Sequence, residues 1–267
     1  MEKIILYCKS YKNDLKYLKI LLDSIQKFNK DNIPVIISCP LPDINLFVEE
    51  LKPYEVQIIN DELCCVSKLT GNGWLDQQIV KANFWRIDPA ENWLVLDSDS
   101  EFIRDFYKDD FMVDNEIPYT VMHEQKQLFL WSSLNKNKLG FDPKKSFKED
   151  RIKIMKAFEF ENLKTIYDFG PSPVIWNIKV WKGLNNILNE NGLTIEDALK
   201  IVSSEFSWYG FFLLYSKLFP IFPKEPLFFV YHYKEQFDEH SALGYTNEIL
   251  KENYLGVIHQ SNWKQIN

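Results

Sequence analysis

From its fourth residue the chain alternates two hydrophobic patterns. Short unbroken apolar runs are followed by stretches in which apolar residues recur every three or four positions. "KIILYCKSY" reads as a buried strand. "DLKYLKILLDSIQKF" reads as a helix, with Leu15, Leu18, Leu22 and Ile25 on one face and Asp14 as its N-cap. "IPVIISCP", "VQIIND" and "NWLVLDSD" read as further strands. The intervening helices are "DINLFVEELKPY" and "GWLDQQIVKANFWRI", the latter with Leu75, Ile79 and Ala82 inward. Strands and helices alternating through short links predict a parallel sheet covered by helices.

The second half is less regular. "IPYTVMHE" and "PLFFVYHY" predict strands, and "KEDRIKIMKAFEFENL" a helix. "SPVIWNIKVWKGLNNILNENG" predicts a strand feeding a helix that stops at Gly192. "TIEDALKIVSSEFSWYGFFLLYSKL" predicts one long helix or two, opened by Thr194 and Asp197 in a near capping box. No repeat, low-complexity tract or Gly/Ser linker interrupts the chain. The expectation is one domain over residues 1–267 with an α/β N-terminal half, a separate C-terminal lobe being the alternative.

Composition narrows the partners. Hydrophobic residues make up 46% of the 267, enough for a sizeable core, and aromatic residues 15%. A net charge of -7 disfavours nucleic acid, whose phosphates call for a basic surface. The four cysteines, Cys8, Cys39, Cys64 and Cys65, show no CxxC spacing and read as reduced thiols. The first apolar run is too short for a signal peptide, and no window approaches the ~18 apolar residues of a membrane span. These features predict a cytoplasmic protein, with contact at the membrane's cytoplasmic face compatible with them.

The chemistry concentrates at "NWLVLDSDSEF". Ligands of parallel sheets bind at the carboxyl ends of strands, and Asp97 and Asp99 lie there. Residues i and i+2 of an extended segment point the same way. Two such carboxylates repel unless a cation lies between them, and a hard divalent ion is the natural filler. A solvated Asp-Ser-Asp turn is the competing structural reading. A calcium loop is rejected because Phe102 and Lys108 stand where it needs Gly and Glu. An aspartyl-phosphate phosphatase of the haloacid dehalogenase type also places Asp-x-Asp after an apolar strand, but that motif normally opens its domain, whereas three strand–helix units precede it here. On the helix before this strand, Gln78, Lys81 and Trp85 share a face, with Gln77 beside it.

Three segments in order, "YCKSYKNDL", "GWLDQQIVK" and "VLDSDS", resemble the GT-A glycosyltransferases, in particular bacterial ones associated with cell-surface polysaccharide. The resemblance covers roughly residues 1–125 and is thin beyond, where it rests on "EFSWYG" and a late histidine. It implies a single α/β domain of Rossmann-like GT-A fold, a mixed sheet with helices on both faces, with a nucleotide-sugar-binding half over 1–125 and an acceptor half over 126–267. It implies Mn²⁺ or Mg²⁺ as cofactor, with Asp99 the main ligand and Asp97 touching the metal or the ribose. Lys9, Ser10 and Tyr11 would meet the base. Gln77, Gln78, Lys81 and Ser98 would complete the donor site, with Lys81 neutralising phosphate or steadying Asp97. His259 would be a further metal ligand, with His232 as the fallback. On the acceptor side, Glu205 and then Asp168 are candidate bases, and Gly170, Trp208 and Tyr209 are candidate contacts to a glycan or lipid-linked glycan. A non-catalytic relative that binds sugar nucleotide or glycan without turnover would carry the same features.

Overall fold

The structure is a computed structural model that describes residues 3–65, 69–135, 142–158 and 165–260. Five strands form the main sheet: β1 (Ile4–Lys9), β2 (Val35–Cys39), β3 (Gln57–Asn60), β4 (Asn92–Leu96) and β7 (Val174–Asn177). Their order is β3-β2-β1-β4-β7; the first four run parallel and β7 is antiparallel to β4. β1 and β4 are apolar along nearly their whole length because both faces are covered, as in parallel sheets generally. The layers on them are α1 (Leu15–Phe28), α2 (Ile44–Glu50) and α3 (Gly73–Asn83), joined later by α6 (Ile178–Glu190), α7 (Ile195–Ile201) and α8 (Glu205–Ser216). Tyr7 stacks on Phe84 with ring centroids 3.6 Å apart, and Trp93 meets Phe84 edge-on at 5.6 Å.

A second sheet has the order β5-β10-β9, from β5 (Ser100–Phe102), β9 (Phe228–Tyr231) and β10 (Gly256–His259). β10 lies antiparallel to β5 and parallel to β9. The chain therefore leaves the main sheet after Leu96, turns through Asp97-Ser98-Asp99 and enters the second sheet at Ser100. The Ser100 amide closes the turn by donating to the Asp97 carbonyl at 3.1 Å.

The second half departs from expectation in instructive ways. The strand read over "IPYTVMHE" shrinks to β6 (Thr120–Val121), which pairs with β8 (Pro223–Lys224). The helix read from Lys148 begins earlier, as α5 (Pro143–Ala157), because Asp142 caps it by accepting the Lys145 amide; the rest of the expected helix, 159–163, lies outside the described residues. Among the described residues, three α-helices have no counterpart in the hydrophobic pattern: α4 (Lys126–Leu134), α9 (Lys234–Ala242) and α10 (Asn247–Leu250). The long "TIEDALKIVSSEFSWYG" helix is two, broken at Val202, whose backbone is extended. Thr194 and Asp197 do form a reciprocal capping box, and Gly192 ends α6 at φ +70°. Among the described residues, no helix is long and apolar enough to cross a membrane.

The four thiols are unpaired. Burial pushes those of Cys39, Cys64 and Cys65 up to about 12, so they are protonated at neutral pH.

Candidate functional site

The carboxyl ends of β1 and β4, the middle of α3 and the first residue of α8 converge on one cluster of charges. Lys81 is 2% exposed, and its ammonium group donates to Asp97 Oδ1. Its second partner is Glu205, whose Oε1 lies 3.7 Å away and whose residue is 3% exposed. A buried ammonium is costly unless it is paired. Burial alone would pull Lys81 down; Asp97 and then Glu205 outweigh it and hold Lys81 above its ordinary value. Burial pushes Glu205 up against the pull of Lys81. The primary pair is therefore Lys81 with Asp97, and Glu205 closes the back of the site.

Asp97 keeps 20% of its side chain exposed, and Asp99 is half-buried. Ser98 donates to the Asp14 carboxylate at 3.3 Å. Asp14 thus turns toward the Asp-Ser-Asp turn and makes no side-chain cap to α1, contrary to the sequence expectation. Burial pushes its carboxyl up. At the end of β1, Lys9 lies 3.2 Å from the buried Asp61 carboxylate, and half-exposed Tyr11 lies beside it, ring centroid 5.8 Å from the Lys9 ammonium. Gln77 is half-buried and Gln78 buried. Three buried polar atoms flanking the turn have no hydrogen-bond partner among the described residues: Ser10 Oγ, Gln78 Oε1 and Ser100 Oγ. Buried polar atoms are nearly always satisfied, so these are atoms for which a ligand is a natural partner.

The donor set fits a hard divalent ion only in a specific sense. Among the described residues, no three His, Cys, Asp or Glu side chains are grouped to hold a metal. The expected trio of Asp97, Asp99 and His259 is thus not assembled as a cage. The His259 amide does reach the Asp99 carbonyl at 3.4 Å, but its ring stacks on Tyr231 at 5.3 Å with Phe237 edge-on at 5.2 Å. Two carboxylates can still hold Mg²⁺ or Mn²⁺ when ligand phosphates and water supply the remaining oxygens. Carboxylates also outnumber ammonium groups here, with Asp14, Asp61, Asp97, Asp99 and Glu205 against Lys9 and Lys81. A cation accompanying an anionic ligand would offset this excess of negative charge.

The acceptor-side candidates fare differently. Trp208 and Tyr209 are corrected to core residues. Trp208 is 2% exposed, donates to the Val202 carbonyl at 3.0 Å and meets Phe158 edge-on. Tyr209 is buried against Trp176 and Trp181, and its hydroxyl accepts the Asn177 amide at 2.9 Å. The neighbour the sequence reading passed over, Phe206, is half-buried, with its ring centroid 5.7 Å from the Lys81 ammonium and its edge against Gly170. Asp168 is buried in a network of its own. It accepts from Arg151 at 2.7 Å, Gln125 at 2.5 Å and the Phe169 amide at 3.0 Å. Burial pushes its carboxyl up, but Arg151, Gln125 and His123 more than offset this and hold it below its ordinary value. Neither Glu205 nor Asp168 presents its carboxylate to solvent.

Beside that network lies a cavity of about 490 Å³, lined by residues that include His123, Gln125, Tyr167, His232, Gln236 and Tyr254. Burial pushes His232 down to about 4, so its imidazole is neutral at physiological pH. Two connections tie the cavity to the Asp-Ser-Asp turn. His232 follows Tyr231, which pairs with His259, whose amide reaches Asp99. Pro171, also in the lining, follows Gly170, which rests on Phe206. A larger hollow of about 670 Å³ lies at the opposite ends of the strands, against Ile5, Val35 and Gln57, away from the charged cluster.

A family model described as a family of unknown function, DUF6492, matches residues 3–243. The chain belongs to the DUF6492 family. No curated protein matches this DUF6492 chain. Among solved structures it is similar to the apo form of the bifunctional glycosyltransferase WbbM, at 10% identity and a TM-score of 0.55. The match covers 98% of this chain and 46% of that one, so the chain spans under half the length of WbbM. At this identity the likeness is one of fold. The mixed, mostly parallel sheet with flanking helices is the GT-A-like architecture that the sequence led us to expect.

Proposed function

We propose that this chain is a glycosyltransferase that binds a nucleotide-sugar donor at the Asp97-Ser98-Asp99 turn and moves its sugar to a glycan or lipid-linked glycan. Bacterial surface polysaccharide synthesis is the setting we favour. The observation that carries this reading is the pinning of Asp97 by buried Lys81, with Glu205 behind it, at the junction of two sheets. A buried cation holds one carboxylate in place while part of that carboxylate still faces solvent.

In this reading Asp97 and Asp99 would hold Mn²⁺ or Mg²⁺ beside the bound donor. When bound, the ion supplies Lewis acidity that stabilises the leaving nucleoside diphosphate. Lys81 is a positioning residue: it fixes Asp97 and contributes positive potential from behind. Ser10, Gln78 and Ser100 offer unsatisfied polar atoms to the donor. Tyr11, half-exposed at the end of β1, offers a ring for the base. The 490 Å³ cavity lies within the ~300–1,000 Å³ typical of small-molecule pockets, and its aromatic and neutral polar walls suit an acceptor sugar. Calorimetry of UDP, GDP and CMP binding, with Mn²⁺ or with chelator, tests the donor half. Metal-dependent binding that Asp99→Asn abolishes is expected; equal affinity in chelator would overturn it.

A second reading has an observation of its own. Because Glu205 and Asp168 are both buried in ion pairs, neither stands ready as a base, which suits a protein that binds sugar nucleotide without turnover. Release of free sugar from donor, or transfer on a glycan array, separates the two. The phosphatase alternative is weakened by topology, since Asp97 follows the fourth strand in chain order and β1 holds the sheet centre.

A further inference from the structure

The segment 126–157 is charged against the rest of the molecule. It contains nine Lys or Arg and three Asp or Glu, a net of +6 in a chain of net -7, so the remainder carries -13. Seven of the nine cations lie on two helices, α4 and α5, that pack through Phe129 and Phe147, ring centroids 5.0 Å apart; one of the seven, Arg151, turns inward to Asp168. On α5, Lys144, Lys145, Lys148, Lys153 and Lys156 are exposed. Glu149 is the one exposed acid on α5, 3.9 Å from Lys145, and half-buried Asp150 holds Lys153 at 3.1 Å. Apolar side chains accompany the lysines. Leu130 is 65% exposed and Leu134 78%, one turn apart on α4, and Ile152 is 41% exposed on α5.

We propose that the α4–α5 face docks on an anionic lipid bilayer. Clustered lysines supply long-range attraction to acidic headgroups. Leu130, Leu134 and Ile152 supply the apolar contact that an interfacial helix buries at the headgroup boundary. Neither helix needs to span the bilayer. The acidic remainder of the chain is repelled by the same headgroups, which orients the molecule with this face inward. The cavity described above includes Lys126 and Leu128 in its lining, so docking brings its rim to the lipid surface, where a lipid-linked acceptor would lie. The docking itself does not rest on the transferase reading.

The test is co-sedimentation of the full chain with phosphatidylcholine vesicles, with and without phosphatidylglycerol. Binding is expected only with phosphatidylglycerol and is expected to fade as salt shortens the reach of charge. The triple variant Lys145→Gln, Lys148→Gln, Lys153→Gln is expected to weaken it roughly hundredfold. Leu130→Ser with Leu134→Ser is expected to weaken it about tenfold, with an unchanged melting curve because both sites are exposed. Absence of binding to acidic vesicles would overturn the proposal. So would binding indifferent to both variants, or tighter binding to a single-stranded oligonucleotide than to vesicles. Nucleotide binding at Asp97 is measured separately and can fail or succeed without altering this result.

Discussion

Two buried-carboxylate networks in this molecule look alike in composition and differ in what they leave undone. Asp168 is saturated: a guanidinium, a side-chain amide and a backbone amide occupy its oxygens, and 4% of the residue is exposed. Asp97 is held on one side by a buried ammonium and keeps a fifth of its side chain open. The first arrangement is finished within the fold; the second is anchored yet available. Being buried and ion-paired does not make an acid functional. An anchored carboxylate with unspent coordination is the one a ligand can use.

The largest effect that would test the contrast is structural. Asp168→Ala strands Arg151, and loss of one partner of a buried pair costs about 3–5 kcal/mol. Chemical denaturation should show that loss, while the folded fraction keeps its affinity for nucleotide. If nucleotide binding disappeared with stability intact, the two networks would have exchanged roles. Next comes Asp99→Asn, expected to lower transfer by about 10²–10³-fold with little change in melting temperature, read by donor turnover. A drop below tenfold would break the assignment.

The pH dependence sharpens the same comparison. The folded value of Asp168 lies below its unfolded value near 3.8. Its contribution is therefore complete above the unfolded value and is lost as pH falls through the folded one. Asp168→Asn should flatten the acid limb of a melting-temperature profile below about pH 4; an unaltered limb would mean other carboxylates dominate acid unfolding. The smallest effect is a control remote from both networks. Thr194→Ala removes the capping box of α7 and should cost about 1 kcal/mol without changing nucleotide affinity.

How much of this was legible beforehand follows from the range of the interactions. β1, β2 and β4 announce themselves because each is buried on both faces, so local hydrophobicity alone marks them. Asp97 and Asp99 were legible for the same reason, as charges abutting such a strand. The partnership of Lys81 with Glu205 was not legible as a pair, because 124 positions separate them and each reads locally as a solvated helix charge. Trp208 and Tyr209 misled in the opposite direction. The resemblance offered them as sugar contacts, whereas Val202 and Asn177 satisfy their polar tips inside the core. α4 escaped notice because Leu130 and Leu134 face outward, which blurs its amphipathic period.

The passage of the chain from one sheet to the other has a mechanical corollary. Asp97 is fastened to α3 through Lys81, whereas the backbone of Asp99 is tied to His259 at the rim of the second sheet. The two acids therefore ride on different platforms, and the gap between them gauges the tilt of one platform against the other. Anything that bridges the gap works as a strut, stiffening the joint, and anything that rocks the second platform loosens the grip.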